Sequence, residues 1–342
     1  MSLPPNIPIL LNGRPVEKIT AFLFHAGGHD DPERLVANQS KSFISSYVLG
    51  MGFTFDDSNP DATPIAEMHR LIAENPKNAE VIFPYIGGEE VNSSPTHSHH
   101  RYVINFGEMS EQEARDNYPR LLAIVEEKVK PQRLKQKDKI GKEKWWLFLR
   151  TRPELQKTIA PLERVLVIAR TSKYLGFIYL PSSIVYSENL VIITIPDSGF
   201  SIIQSRLHEL WVEFFSSTLG DGQGYRPSDC FETFPFPELI PPAPLNKGGL
   251  GGVTEEQLEE IGQQYYEYRA ELMVRNNQGL TATYNRFHNP YEFDSEILRL
   301  RELHEEMDKA VLKAYGWEDI DTTCGFCLDY LDIDEEDDIP LA

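Results

Sequence analysis

Eighteen residues from Pro235 to Gly252 constrain the fold more than any other stretch of this chain. They hold five prolines and four glycines and end in Leu245-Asn-Lys-Gly-Gly-Leu-Gly-Gly252. Proline lacks the N–H that a helix or interior strand needs, and glycine carries a high entropic cost in either. No regular element runs easily through such a stretch, and 241–253 reads as a linker or insertion. The sequence changes character across it. Before it, short runs rich in β-branched residues alternate with helical patterns; after it, only helical patterns occur. The expected class is α+β: a mixed β-sheet domain with flanking helices, followed by a small helical segment.

Within the first part, strands are expected at 7–11 and 19–24 around an Asn12-Gly13 turn, and at 81–86, 101–106, 165–169, 177–180 and 190–195. Ile65, Met68, Leu71 and Ile72 recur at helical spacing. They predict a helix over 64–74, capped by Thr63, with Pro64 at its first position and Asn75-Pro76 at its end. Ser110-Glu-Gln-Glu113 fits a capping box, opening one long helix to Val129 that Lys130-Pro131 closes. Helices are also expected at 153–159 and 201–219. Beyond the linker, Thr254 caps a helix running towards Arg275, with Glu255 and Glu256 where the helix dipole favours acids. A last helix covers about 294–315, and the acidic 332–338 is expected to fray.

The 342 residues suffice for two domains. No apolar run approaches the roughly 20 residues of a membrane span. The start, Met1-Ser2-Leu3-Pro4-Pro5, has no signal-peptide pattern and is abrupt, as in a fragment. Cys230, Cys324 and Cys327 are too few for a disulfide framework, and Cys324-Gly-Phe-Cys327 lacks the second pair of a zinc ribbon. A cytoplasmic protein with no membrane partner is the expectation. The net charge of −20 argues against unfocused nucleic-acid binding. From Thr254 onwards 23 acids face 7 bases, whereas 128–144 carries eight bases against Asp138 and Glu143. A local basic strip is the footprint expected of DNA-backbone contact, and charge alone equally allows a solvated lysine-rich loop.

Other chemistry lacks its motifs. Gly50-Met-Gly52 is a lone GxG with no βαβ unit around it, and Pro241-Pro242 lacks the flanking residues of an amino-methyltransferase loop. Asp116 with Glu126-Glu127-Lys128 matches a metal-nuclease pattern formally but falls on one predicted helix. His97-Ser-His99-His100 reads as surface histidines in a polar loop rather than as a metal site. Polar loops do suit base recognition: Arg170-Thr-Ser-Lys173, Tyr186-Ser-Glu-Asn189 and the Gly-rich Asp221-Gly-Gln-Gly-Tyr-Arg226. Taken singly, each is equally an ordinary surface loop. Trp145, Trp146, Tyr174 and Tyr179 are expected to pack rather than stack on bases.

An ordered series of motifs carries a resemblance. It runs Pro84-Tyr-Ile-Gly-Gly-Glu-Glu90, Arg101-Tyr-Val-Ile-Asn-Phe106, Tyr118-Pro119, Lys128-Val-Lys-Pro-Gln-Arg133 and Trp145-Trp146. It continues with Arg164-Val-Leu-Val-Ile-Ala-Arg170, Arg226-Pro-Ser-Asp-Cys-Phe-Glu-Thr-Phe-Pro-Phe-Pro237, Gly279-Leu-Thr-Ala-Thr-Tyr-Asn-Arg-Phe-His288 and Ala314-Tyr-Gly-Trp317. The series resembles the recognition region of MmeI-type restriction-modification proteins (type IIL, or IIG), from about residue 40 to 320. The resemblance implies that 1–40 trails a methyltransferase domain, 41–240 is a DNA target-recognition domain and 254–320 is a helical C-terminal part; by composition 321–342 is an acidic tail. It implies specificity loops around 182–189 and 216–226.

The expected function is sequence-specific recognition of double-stranded DNA, positioning a target adenine for domains absent from this chain. Lys and Arg in 128–150 are expected on the phosphate backbone, with Lys128, Lys130, Arg133, Lys135, Lys137, Lys139 and Lys142 as the candidates. Arg170, Lys173, Tyr186, Glu188, Asp221, Gln223 and Arg226 are the candidates for base or phosphate contacts. No catalytic residue and no metal ligand is expected here. S-adenosylmethionine, and magnesium for cleavage, belong to the intact parent, and the partners are duplex DNA and the parent's methyltransferase domain. Two other classes stay open: a self-contained nuclease or methyltransferase, and an acidic protein-interaction or DNA-mimicking module.

Overall fold

The computed structural model describes residues 9–11, 14–16, 32–219, 222–239 and 253–320. β1 (Ile9–Leu11) and β2 (Arg14–Val16) pair antiparallel, with Ile9 opposite Val16. The first hairpin therefore closes on Arg14–Val16, while 19–24 lies outside the described residues.

The chain continues with β3 (Ser42–Ile44), β4 (Thr54–Phe55), α1 (Ile65–Glu74), β5 (Ile82–Ile86), α2 (Gly88–Ser93) and β6 (Arg101–Ile104). Helix α1 buries Met68 and Leu71, as its period predicts. Thr63 does not cap it, because backbone bonds to Thr54 and Asp56 hold Thr63 extended. Pro64 takes the cap position, and Asp57 Oδ1 accepts the Ile65 N–H. The box at Ser110 forms: Ser110 Oγ accepts the Glu113 N–H, and the Glu113 carboxylate accepts the Ser110 N–H. It opens α3 (Glu111–Asn117) and not one long helix. Pro119 has no N–H to continue the ladder, so the chain turns at Tyr118 and restarts as α4 (Pro119–Lys128). Helix α4 ends at Lys128, directly before Lys130-Pro131 as expected, but helical structure resumes at once. Proline suits a first helical turn, and α5 (Lys130–Lys135) and α6 (Lys139–Glu143) follow.

Next come α7 (Pro153–Ile159), β7 (Arg164–Ala169), β8 (Thr171–Ser172), β9 (Ile178–Pro181), β10 (Val185–Tyr186) and β11 (Leu190–Ile193). The single helix expected over 201–219 is instead α8 (Ser198–Gln204), α9 (Arg206–Phe215) and β12 (Ser217–Leu219), with β13 (Gly222–Gly224) after it. Ser205 is extended at the break, and the Arg206 N–H donates to Asp308 Oδ1 at 2.8 Å. Beyond the Pro/Gly stretch lie α10 (Glu255–Asn276), α11 (Leu280–Phe287) and α12 (Ser295–Tyr315). The Thr254 capping box forms with Gln257.

Three sheets result among the described residues beyond the first hairpin, in the orders β10-β5-β6-β4, β3-β11-β7-β9 and β12-β13-β8. The fold is α+β. The two larger sheets serve different cores. Phe53, Phe55, Val103, Leu121, Val125, Trp145 and Phe148 fill one. In the other, Val167, Ile178, Val191 and Ile203 pack with Tyr265, Leu272, Tyr284, Leu300 and Met307 of the last three helices. Fully burying one such side chain stabilises by roughly 1.5–3 kcal/mol. Segments on both sides of the Pro/Gly stretch thus share one core. No helix among the described residues is long and apolar enough to cross a membrane.

Candidate nucleic-acid interface

The small sheet brings the predicted loops together. Gln223 pairs with Ser172 and Gly224 with Thr171 on one side of β13, and Thr218 pairs with Gln223 on the other. The Tyr225 N–H donates to the Arg170 carbonyl at 2.9 Å. Arg170 in turn donates its backbone N–H to Asn189 O (2.8 Å) and its Nη1 to Glu188 O (3.1 Å). Residues 187–189 are pinned from beneath: the Ser187 N–H donates to Ile86 O, and Ser45 Oγ donates to Ser187 O. The segments 170–173, 187–189 and 222–226 therefore form one surface. Lys173, Asn189 and Arg226 are exposed on it, and Gln223 and Glu188 are half-buried. Arg226 faces Asp229 at 3.7 Å and keeps 55% of its side chain in solvent. Asp221 lies outside the described residues.

The candidates on this surface differ in freedom. Lys173 Nζ donates to Asn285 Oδ1 (2.9 Å) and sits 4.9 Å above the Tyr174 ring, which ties it to α11. Tyr186 is corrected: it is buried, and its hydroxyl donates to Pro181 O. Its strand pairs parallel with β5 from a distant part of the chain, which turns the ring inward.

The basic strip is helical, and its charges separate by direction. Arg133 is corrected to a structural residue. It is 1% exposed and donates to the carbonyls of Val48, Leu49 and Leu147. Lys128 Nζ donates to Asp61 O and Ala62 O, and Lys130 pairs with Glu126 over the Trp145 ring. Lys135, Lys137 and Lys139 are exposed around the α5–α6 turn, and Lys142 is half-buried. Asp138 caps α6 by accepting the Gly141 N–H.

Sequence reasoning missed Arg152 and singled out Arg150 only as the end of a range. Arg150 Nη2 lies 4.0 Å from Asp138 Oδ2, beside the lysine strip. Arg152 donates Nε to Ser45 O (3.3 Å), and burial, then Arg150 and Arg170, hold its pKa below the usual arginine value. The signal available was Arg150-Thr-Arg152-Pro153 itself, two arginines before a proline that ends any preceding helix.

The remaining motifs are structural. Gly52 lets the end of α4 approach, since a Cβ there would overlap Lys128 Cβ and Val129. Burial pushes the Cys230 thiol up to about 12, where it is inert; Cys324 and Cys327 lie outside the described residues. His97 is half-buried, its pKa lowered to about 4 by burial, and its Nδ1 contacts Glu90 O. Glu90 is buried and takes two hydrogen bonds from Arg101. Asp116 accepts from Gln112 while Glu126 pairs with Lys130, so these do not converge with Lys128. Among the described residues no three His, Cys, Asp or Glu side chains group as a metal site.

The fold has known counterparts. The model of the MmeI target recognition domain matches residues 30–238, more than half of the chain. The chain belongs to the MmeI target-recognition-domain family. Among solved structures, the type IIL restriction-modification enzyme MmeI in complex with DNA matches with a TM-score of 0.59 at 19% identity. The match covers 89% of this chain and 36% of that one, so the chain spans about a third of MmeI's length. The likeness to MmeI is one of fold. No curated protein matches.

Proposed function

We propose that this chain reads the DNA sequence for a restriction-modification enzyme whose catalytic parts lie outside it. The observation that carries this reading is the convergence of three segments on one surface: 170–173 and 222–226 share the three-stranded sheet, and Arg170 ties 187–189 to it. A β-ribbon fits the major groove, and Gln and Arg pair bidentately with adenine and guanine edges. Gln223 and Arg226 are the base-reading candidates, while Lys135, Lys137, Lys139 and Lys142 anchor the phosphate backbone. Family membership and the fold shared with MmeI support the same reading.

In this reading 1–40 trails a methyltransferase domain of the same polypeptide, 41–240 recognises DNA, and 254–320 braces it in the cytoplasm. The parent would methylate adenine, with or without cleavage. S-adenosylmethionine and magnesium would be held by its other domains, so no step here runs through them.

Duplex-binding titrations across a salt series test the proposal. Lys137→Ala with Lys139→Ala is expected to weaken binding to every sequence and to lower the salt slope by about 0.9 for each phosphate that is no longer neutralised. Arg226→Ala is expected to change the preference among sequences. A wild-type chain without salt-dependent duplex affinity would end the reading.

A further inference from the structure

Arg150 and Arg152, two residues apart before α7, and Arg170, just after β7, come from two places in the fold and meet through one short segment. Tyr47 exchanges both backbone hydrogen bonds with Arg150. Ser45 O accepts from Arg152 Nε, while the Ser45 N–H and Oγ hold Leu190 O and Ser187 O. Arg170 is tied to that loop by its bonds to Asn189 and Glu188.

The cluster is electrostatically incomplete. Arg152 lies in the repulsive field of both other guanidinium groups. Neither Arg152 nor Arg170 makes an ion pair among the described residues, and the nearest carboxylate to Arg150 is Asp138 at 4.0 Å. Arg170 Nε is shut off from solvent without a hydrogen-bond partner. Arg152 also holds a left-handed backbone, φ 56° and ψ 57°, which side chains other than glycine adopt at a cost. Converging like charges in a strained backbone destabilises the empty fold. An anion that all three guanidinium groups reach offsets that cost, and planar guanidinium forks match phosphate oxygens.

We propose that Arg150, Arg152 and Arg170 form one site for a phosphodiester group of the duplex, fixing its register against β13. The proposal rests on the DNA-reading function. The site lies between the lysine strip, through Asp138, and the reading surface, where the Arg170 carbonyl accepts from the Tyr225 N–H. It serves every sequence alike, because a phosphate carries no base identity.

Arg152→Gly tests it on the full chain. Glycine accepts the left-handed backbone, so the melting temperature is expected to hold or rise. Affinity for a randomised duplex pool is expected to fall several-fold, with the salt slope reduced by about 0.9. Arg170→Gln is expected to do the same, and neither variant is expected to change which sequences the pool enriches. If the wild type binds duplex and both variants bind equally well with an unchanged slope, the site is refuted while DNA reading stands. If the wild type binds no duplex, the reading fails and takes the site with it. A change in the enriched sequence would recast these arginines as base readers and overturn the phosphate assignment.

Discussion

Arg133 and Lys137 sit four residues apart in one basic strip and have opposite fates. Sequence counts their charges equally; only packing decides which way each points. The Arg133 guanidinium bridges three carbonyls beneath α5, next to Phe53. Arg133→Met keeps the apolar stem and leaves those carbonyls without a donor. The expected loss is about 2–4 kcal/mol of stability in urea titration, with no change in the salt slope of DNA binding by folded protein. Wild-type stability in this variant would contradict the structural role. Gln223 presents the converse case. Its backbone is paired on both sides by Ser172 and Thr218, so the strand is positioned whatever the side chain. Gln223→Ala is therefore expected to leave the melting temperature nearly unchanged and to relax selectivity at one base pair by about 1–3 kcal/mol. Selection from a randomised duplex pool reads this directly, and a uniform loss over all sequences would count against it.

At the scale of elements, local chemistry was legible and long-range chemistry was not. The Ser110 box and the Thr254 cap form because a hydroxyl and the backbone N–H three residues on decide them. The break at Ser205 depends on Asp308, about a hundred residues away, and no local pattern announces it. The burial of Tyr186 likewise depends on pairing with β5. The three recognition segments were each visible as polar loops, yet their union rests on the ladder between Gln223 and Ser172 and on the bonds of Arg170 to Asn189 and Glu188. Helix α11 is too short for its period to stand out, although Tyr284 and Phe287 enter the core. The docking of α10 on α8 turns on Gly262, where a Cβ would overlap Ser201 Oγ and crowd Phe200. That serine donates to Leu258 O, so it cannot swing aside freely. Gly262→Val is expected to cost about 1–3 kcal/mol by overpacking and to lower the melting temperature. An unchanged melting temperature would mean that the two helices are not held at this distance.

For the molecule as a whole, the acidic helices are bound to the sheet-bearing part of the chain, at Phe177, Gln204 and Arg206, through a buried polar network. Asp308 on α12 accepts the Arg206 N–H, and His304 Nε2 lies 3.6 Å from the same carboxylate oxygen. His304 Nδ1 meets the Tyr265 hydroxyl, Tyr265 meets Tyr284, and Arg269 joins Tyr284 to Gln204 and Phe177 O. Burial pushes the Asp308 carboxyl up to about 7. It pushes His304 and His208 down to about 3, and His288 to about 4. The signs oppose one another. The unfolded chain releases the Asp308 proton near its ordinary value of 3.8, whereas the fold keeps it to about 7. The stability this group contributes is therefore full below 3.8 and lost as pH rises through about 7. The histidines stay neutral in the fold but take up protons near 6.5 when unfolded, so their contribution is lost as pH falls below that value. These three histidines and His97, also lowered to about 4, stand against Asp308 and Glu209, whose carboxyl burial also raises, so net stability should decline towards acid. Asp308→Asn retains an acceptor for the Arg206 N–H and removes the titration. Its stability gain over wild type should grow with pH through the window from 3.8 to 7 and level off above it, reaching roughly 1–4 kcal/mol. Urea titrations at about pH 4.5, 6 and 8 measure the trend. A gain that is flat with pH, or larger at acid pH, would show that Asp308 does not hold its proton in the fold.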